Sequence, residues 1–128
     1  MCLLAVQYRL VPESPILVAA NREEYVDRPS QTPSIQSGKP RVLCGIDQKA
    51  GGTWLGVNQN GLFVGLTNRA TATPLFGQRS RGQLAMDLLR CTSSRRALEK
   101  AHAEFAKNRY EGCNIILADA KAGFAIHA

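Results

Sequence analysis

The residue with the clearest potential for chemistry is Cys2, which directly follows the initiator Met1. A side chain as small as cysteine permits removal of Met1, and the chain would then begin with a thiol and a free α-amine on one residue. The thiolate is the attacking form of cysteine, and an α-amine with an ordinary pKa of about 8 can accept the thiol proton near neutral pH. The sequence therefore predicts a nucleophile that carries its own general base.

Histidine is the other common base for a cysteine nucleophile, and the chain has two, His102 and His127. His102 falls within a predicted helix and His127 is the penultimate residue, so neither position favours a Cys-His pair. The structural alternative for Cys2 is a small hydrophobic residue at the start of a buried strand. The residue taken alone leaves both interpretations open.

The elements that must position Cys2 begin with a hairpin. Residues 2–9 and 16–20 are apolar and β-competent, and residues 11–15 between them have turn chemistry. Residues 21–49 are polar and interrupted by three prolines, which predicts a long loop with one short strand at residues 41–45. A loop of this length in a compact domain is usually functional.

Two further hairpins are predicted. The β-type runs at residues 53–58 and 62–67 are joined through an Asn-Gly pair at residues 60–61, which favours the positive φ angles of a tight turn. The chain ends on a second pair of β-type runs, residues 114–118 and 123–126. Neighbouring strands that are close in sequence are expected to pair antiparallel.

Two helices are predicted between these hairpins. Ser80 is placed to cap the first helix, and Ser93 or Ser94 to cap the second. Each helix carries an apolar stripe at helical spacing, formed by Leu84, Ala85, Leu88 and Leu89 in the first and by Ala97, Leu98, Ala101 and Phe105 in the second. The order of elements predicts an α+β fold rather than alternating βαβ units.

Length, charge and cysteine usage restrict the class of protein. The chain has 128 residues, 45% of them hydrophobic, and a formal charge of +6, which fits one domain. The basic residues are spaced as on exposed helix faces, without interleaved aromatics, so nucleic acid is not an expected partner. The remaining cysteines, Cys44, Cys91 and Cys113, form no CxxC pair and are expected to be buried, so neither a metal site nor a cofactor is predicted.

The sequence also indicates where the protein is located and whether the domain is whole. No segment is long enough to span a bilayer and no signal peptide is recognisable, so the cytoplasm is the expected location. The last predicted strand stops at residues 127–128 without a terminating signal and leaves an apolar edge. We therefore expect residues 1–128 to be a single domain truncated at its carboxyl end.

Two segments resemble the signatures of a known family. Residues 21–24 read Asn-Arg-Glu-Glu and resemble the Asn-Arg-Asp-Glu signature of the NRDE family, also called the transport and Golgi organisation protein two family. Residues 51–58 (GGTWLGVN) and 66–69 (LTNR) resemble its second signature. Together with the Met-Cys start, this similarity extends over nearly the whole chain, although family members are about twice as long.

The resemblance implies a fold similar to the amino-terminal-nucleophile (Ntn) hydrolases, an αββα sandwich of antiparallel sheets, of which this sequence would be the amino-terminal part. Related acylases of the cholylglycine and penicillin V group hydrolyse amides with a terminal cysteine. Carried over to this sequence, the catalytic residues would be Cys2, Asn21, Arg22, Glu24 and Asn68. Glu24 would hold the α-ammonium and Asn68 would donate to an oxyanion.

Structural alternatives exist for these residues and their neighbours. Asn21 and Asn68 can end strands and bond their own turns, and Arg22 with an adjacent glutamate can form an exposed ion pair that contributes little. Trp54 is expected to pack in the core, and the two glycines at 51–52 to permit a tight backbone path into the strand.

Two functions are consistent with the resemblance. The first is a cysteine amidohydrolase that cleaves a C–N bond of a small amide through an acyl-enzyme at Cys2. The second is a non-catalytic binding or trafficking protein for haem or for an acyl or lipid metabolite. Cys2, His102 or His127 would then be the haem ligand, although no specific haem motif is present.

Overall fold

The computed structural model describes residues 2–70 and 79–128. Within these residues the chain forms eight strands and two helices, arranged as two antiparallel sheets with helical packing. The strands are β1 (Leu3–Val11), β2 (Ser14–Asn21), β3 (Ser30–Gln36), β4 (Val42–Asp47), β5 (Leu55–Asn58), β6 (Phe63–Asn68), β7 (Cys113–Ala118) and β8 (Gly123–His127), and the helices are α1 (Arg81–Leu89) and α2 (Ser94–Lys107). The predicted α+β class and antiparallel pairing are confirmed.

The smaller sheet is the predicted amino-terminal hairpin of β1 and β2. Successive side chains of a strand point to opposite faces, and one face of β1 is half-buried against the larger sheet. Leu4 lies over Gly65 of β6, where an added side-chain carbon would be only 2.7 Å from Leu4 Cδ2. Tyr8 Oη donates to the carbonyl of Asp119 at 2.9 Å. The hairpin therefore covers the β6 to β8 half of the larger sheet.

The larger sheet contains six strands in chain order, from β3 to β8. Its edge strand β3 corrects the sequence analysis, which assigned residues 21–49 to a loop with a single strand at 41–45. Proline lacks a backbone donor, but Pro33 is tolerated because β3 is an edge strand whose register shifts between Gln31 and Ser34. The proline that argued against a strand therefore lies where a strand can accommodate it.

The turn between β5 and β6 contains a glycine bulge. The hairpin is the predicted one, but within the described residues of this turn only Gly61 takes a positive φ, of 82°. The N–H of Gly61 donates to the carbonyl of Asn58, and the N–H of Asn58 donates to the carbonyl of Leu62. Asn60 thus has no positive φ, and Gly61 alone adopts the left-handed conformation in this turn.

Both helices begin at the predicted caps. Ser80 Oγ accepts from the N–H of Gly82 at 3.1 Å and starts α1. Ser93 Oγ accepts from the N–H of Arg96 at 3.2 Å and starts α2. The serine side chains satisfy backbone donors that have no intrahelical acceptor.

The main core lies between the helices and one face of the six-stranded sheet. Val64 of β6 faces α1, while the next residue, Gly65, faces the hairpin, so helices and hairpin pack on opposite faces of the sheet. The buried core side chains include Val42, Cys44, Val64, Leu84, Leu88, Leu89, Ala97, Ala101, Cys113, Ile115 and Leu117.

Three of the four cysteines belong to this packed region. Cys44 and Cys113 are buried as expected, whereas Cys91 is only half-buried. Burial raises the pKa of all three thiols, because the charged thiolate is poorly solvated there. No helix in residues 2–70 and 79–128 has the length and apolar character required to cross a membrane.

Candidate functional site

A cavity of about 160 Å³ lies where the start of the hairpin meets the end of β6 and the start of α1. Its wall contains every residue of the set that the sequence analysis singled out, namely Cys2, Asn21, Arg22, Glu24 and Asn68. These residues come from three separate parts of the chain, at positions 2, 21–24 and 68. They meet because β1 and β2 pair over their whole length and the hairpin packs across β6.

Cys2 borders the cavity and lies outside the main core. Its half-buried sulfur accepts from the N–H of Glu23 at 3.3 Å, and its thiol lies 3.6 Å from the carbonyl oxygen of Glu23. The backbone that follows β2 therefore holds the sulfur at the cavity wall. Met1 is outside the described residues, so its removal remains a prediction.

The two asparagines of the set, Asn21 and Asn68, lie on different sheets. Asn21 Oδ1 accepts from the N–H of Leu3 at 2.6 Å, so it fixes the backbone directly after Cys2 instead of bonding its own turn. Asn68 is the last residue of β6 and borders the cavity from the larger sheet, opposite Cys113 of β7 in the ladder.

Arg28 and Asp47 form an ion pair at the cavity that the sequence analysis missed. Arg28 donates to Asp47 Oδ2 from Nε at 3.0 Å and from Nη2 at 2.7 Å. Asp47 Oδ1 accepts from the N–H groups of Lys49 and Ala50. Burial opposes the charged carboxylate, but these hydrogen bonds outweigh it and lower the pKa of Asp47, while the bond to Asp47 raises the pKa of Arg28.

Glu24 and Arg22 lie next to this pair, but their distances to its charged atoms are longer than a hydrogen bond. Glu24 Oε2 is 3.6 Å from Arg28 Nε and 3.7 Å from Arg22 Nη2, and Glu24 Oε1 accepts from the N–H of Tyr25. Arg22 Nη2 is also 3.7 Å from Asp47 Oδ2. The residues after β2 thus form a half-buried cluster, not the exposed ion pair that was the structural alternative.

The observed position of Trp54 differs from the expected one. It was expected to pack in the core, but it is half-buried, lines the cavity and carries the guanidinium carbon of Arg22 4.4 Å from its ring centroid. The ring fits here because Gly45 has no side chain; an added carbon there would lie 2.8 Å from Trp54 Cη2. Arginine favours this geometry because its planar cation stacks on aromatic faces.

The two glycines before Trp54 let the loop approach α1, as expected from their lack of side chains. Gly51 and Gly52 have φ angles of 66° and 111°. A side-chain carbon on Gly52 would be 2.3 Å from the carbonyl carbon of Gly82, and the N–H of Thr53 donates to the Gly82 oxygen at 3.0 Å. This contact brings the start of α1 into the cavity wall.

A row of polar side chains crosses the larger sheet to the cavity. Thr67, which lines the cavity, accepts from Asn114 Nδ2 at a long 3.4 Å, and Asn114 Oδ1 lies 2.7 Å from His127 Nδ1. His127 therefore has a defined partner on β7, in contrast to the ragged end that its sequence position indicated. His102, the other histidine, is exposed on α2.

The sequence around Arg28 and Asp47 contains few signals that these two residues pair. Arg28 and Asp47 are 19 positions apart, and no motif links them. One available signal was that Asp47 is an acidic residue at the end of the largely apolar strand β4. Trp54, by contrast, stood within a family signature, and only its expected role was wrong.

Comparison with known proteins identifies the family of the chain. The sequence model of the family described as Transport and Golgi organisation 2 matches residues 1–127. The chain is 34% identical over 127 residues to the Transport and Golgi organization 2 homolog of Mus musculus and 33% identical over 130 residues to the homolog of Bos taurus. These alignments cover 93% and 95% of the chain but 45% and 46% of the relatives, so the chain spans about half of their length. The chain belongs to the Transport and Golgi organisation 2 family.

Proposed function

We propose that this protein is a cysteine amidohydrolase of the Ntn type, which cleaves a small amide through an acyl-enzyme at Cys2. The observation that supports the proposal is the convergence of the Cys2 thiol, Asn21, Arg22, Glu24 and Asn68 on one cavity. Two antiparallel sheets packed face to face, with helices on the outer face of one, are also compatible with the amino-terminal part of an αββα sandwich.

In the proposed first step the α-amine takes the thiol proton, and the Cys2 sulfur attacks the amide carbonyl carbon. A C–S bond forms, and the negative charge on the carbonyl oxygen accepts a hydrogen bond from the Asn68 amide. The intermediate then expels the amine, which leaves with the proton held by the α-ammonium as the C–N bond breaks. Water next adds to the thioester, releases the carboxylic acid and restores the thiol.

The contacts around Cys2 suit this role. Glu23 holds the sulfur through its backbone, and Asn21 holds the adjacent peptide through the N–H of Leu3. A nucleophile fixed on both sides retains its attack geometry, which is a major source of rate enhancement.

The test combines mass spectrometry with a nucleophile variant. Intact mass should show a chain that lacks Met1, and incubation with a panel of small N-acyl amides, with and without a carboxylate near the amide bond, should produce an acyl adduct on Cys2. Cys2→Ala should abolish turnover and the adduct, and Cys91→Ala, which changes a half-buried thiol away from the cavity, should leave both unchanged. Turnover that persists in Cys2→Ala would refute the proposal.

A second candidate is binding of haem or of an acyl or lipid metabolite without turnover. An apolar cleft of about 470 Å³ between the hairpin and the larger sheet favours it, since its walls suit an acyl chain. The cleft is lined by Pro15, Ile16, Val18, Ala20, Leu55, Val57, Gly61 and Phe63. The names of the mouse and cattle relatives refer to transport. Titration with haemin and with acyl-coenzyme A separates the candidates, because tight binding without hydrolysis would favour this one.

A further inference from the structure

We infer that Arg22 binds a carboxylate of the substrate, so that the cavity takes amides bearing a carboxylate close to the reacting bond. The inference rests on the proposed function of the cavity and names its substrate class. It also changes the part assigned to Arg22, from a member of the catalytic set to a residue that recognises the ligand.

The Arg22 guanidinium lies at the cavity wall with its hydrogen-bond donors unused. Its side chain is only 19% exposed, and it makes no hydrogen bond within the described residues. The nearest acidic oxygens, on Glu24 and Asp47, are each 3.7 Å away, which is beyond good hydrogen-bond geometry. A poorly solvated guanidinium in this state gains most from a ligand that accepts from it.

The acidic side chains next to Arg22 already have other partners. Both Asp47 oxygens are occupied, one by Arg28 and the other by two backbone N–H groups. Glu24 Oε1 accepts from a backbone N–H, and its other oxygen lies between Arg22 and Arg28. A ligand carboxylate can therefore accept from Arg22 without breaking a short ion pair.

Trp54 restrains the Arg22 guanidinium at the cavity wall. The guanidinium carbon lies 4.4 Å from the centroid of the ring, a position that favours a cation–π contact. The planar guanidinium carries paired N–H donors, which suit a two-oxygen acceptor such as a carboxylate.

The other described arginines of the cavity wall already donate to protein acceptors. Arg81 donates to the carbonyl of Gly112 at 2.8 Å and pairs with Glu111 at 3.0 Å. At the start of α1 the N–H of Gly82 is taken by Ser80 Oγ. Among the described arginines of the cavity wall, Arg22 is therefore the one without a short hydrogen bond to a protein acceptor.

The size of the cavity limits the distance between carboxylate and reacting carbon. A volume of about 160 Å³ corresponds to roughly five water molecules. A ligand of this size that reaches Arg22 also lies near the Cys2 sulfur, because the residue that follows Arg22 holds that sulfur through its backbone.

The test uses two alkylating reagents of nearly equal size, iodoacetate and iodoacetamide. In both reactions the Cys2 sulfur displaces iodide, so that a C–S bond forms and a C–I bond breaks, and the reagents differ mainly in charge. Alkylation of Cys2 is followed by peptide mass spectrometry as a rate ratio, iodoacetate to iodoacetamide. Arg22→Gln should lower this ratio about tenfold, since it removes a charge-assisted contact to the carboxylate.

Arg96→Gln is the matched control. It removes the same unit charge from an exposed ion pair on α2 and should leave the ratio unchanged. Arg22→Lys should retain part of the preference, because it keeps the charge and loses the planar fork. A second measurement compares N-acetylglycine with N-acetylglycinamide as protectants of Cys2 against iodoacetamide, and only the former should protect the unmodified protein.

Equal ratios in the wild-type protein, Arg22→Gln and Arg22→Lys, with equal protection by both ligands, would overturn the carboxylate assignment. This readout requires neither Met1 removal nor amide turnover. An inactive protein that keeps the Arg22-dependent ratio would therefore retain the carboxylate site and lose the hydrolase proposal, whereas Cys2-dependent turnover without the preference would do the reverse.

Discussion

At the scale of single residues, Gly52 shows how the cavity depends on the absence of a side chain. Its φ of 111° is unfavourable for other residues, and the backbone of Gly82 occupies the space that a side chain would need. Gly61 also has a positive φ, of 82°, but no atom lies within 4 Å of the position its side chain would take. Substitution at Gly61 therefore reports the cost of the positive φ alone, whereas substitution at Gly52 reports that cost together with a steric clash.

We predict that Gly52→Ala destabilises the fold much more than Gly61→Ala does. Gly61→Ala should cost about 1 kcal/mol from the backbone alone, whereas Gly52→Ala should cost about 3 kcal/mol or more because α1 must also move. Urea unfolding of both variants measures the difference. Equal losses would show that the loop can withdraw from α1 at little cost.

At the scale of elements, Asn58 joins the β5–β6 turn to the end of α1. Its Nδ2 donates to the carbonyls of Leu89 and Cys91, both at 2.8 Å, and its Oδ1 accepts from the N–H groups of Asn60 and Leu62. The side chain is 6% exposed, so each bond replaces one that water would otherwise make. One residue thus satisfies backbone groups from two elements.

We predict that Asn58→Asp is more harmful than Asn58→Ala. The alanine variant loses these bonds at about 2 kcal/mol, while the aspartate variant places a buried carboxylate against two carbonyl oxygens and should cost about 3 kcal/mol or more. Asn108→Ala, which removes an exposed bond to Glu104, is the control and should change little. A free energy of unfolding that is the same for both Asn58 variants would contradict the assigned bond directions.

Asp119 joins the β7–β8 turn to the start of α2 in a similar way. Oδ2 accepts from the N–H of Ser94 at 2.6 Å, and Oδ1 accepts from the N–H groups of Lys121 and Ala122. Burial disfavours the charged carboxylate, but the backbone donors outweigh it and lower the pKa of Asp119 to about 2. The ionised side chain therefore stabilises the folded state.

The sign of the pH dependence follows from this lowered pKa. Because the folded pKa lies below the unfolded value, the contribution of about 2 kcal/mol is complete above about pH 4 and is lost as the pH falls towards 2. Asp119→Asn should reduce the free energy of unfolding at pH 6 and change it much less near pH 2. Asp27→Asn, on an exposed residue, is the control. A deficit in Asp119→Asn that is independent of pH would refute this account.

At the scale of the whole molecule, the hairpin leaves part of the larger sheet open. Ile35, Leu43, Val57 and Phe63 are cross-strand neighbours on one face, with exposed fractions of 67%, 46%, 41% and 3%. Exposure falls towards the hairpin because it covers only the β6 end of this row. A continuous exposed apolar row favours self-association.

We predict that Leu43→Lys reduces concentration-dependent self-association of the chain without lowering its stability. A lysine in the row raises the cost of burying that face against another molecule. Leu10→Lys adds the same charge at an exposed leucine outside the row and should have a smaller effect. Light scattering over a concentration series measures the outcome, and equal behaviour of the two variants would exclude the row as the contact surface.

The sequence by itself determined the features that depend on neighbouring residues. The helix caps at Ser80 and Ser93, the hairpin built around Gly61 and the close approach at Gly52 were all predictable, because caps, turns and positive φ angles are set within a few residues. The family signatures also identified Cys2, Asn21, Arg22, Glu24 and Asn68 as candidate site residues. Only the folded chain brings these residues to one cavity.

The tertiary structure decided the features that depend on distant partners. The Arg28–Asp47 pair joins residues 19 apart and Asp119 caps a helix that starts 25 residues before it, and neither spacing has a sequence pattern. Trp54 faces the cavity because Gly45 lies beneath its ring, and β3 accepts Pro33 because it lies at a sheet edge. Such contacts follow from which surfaces pack together, and a local pattern carries no information about that choice.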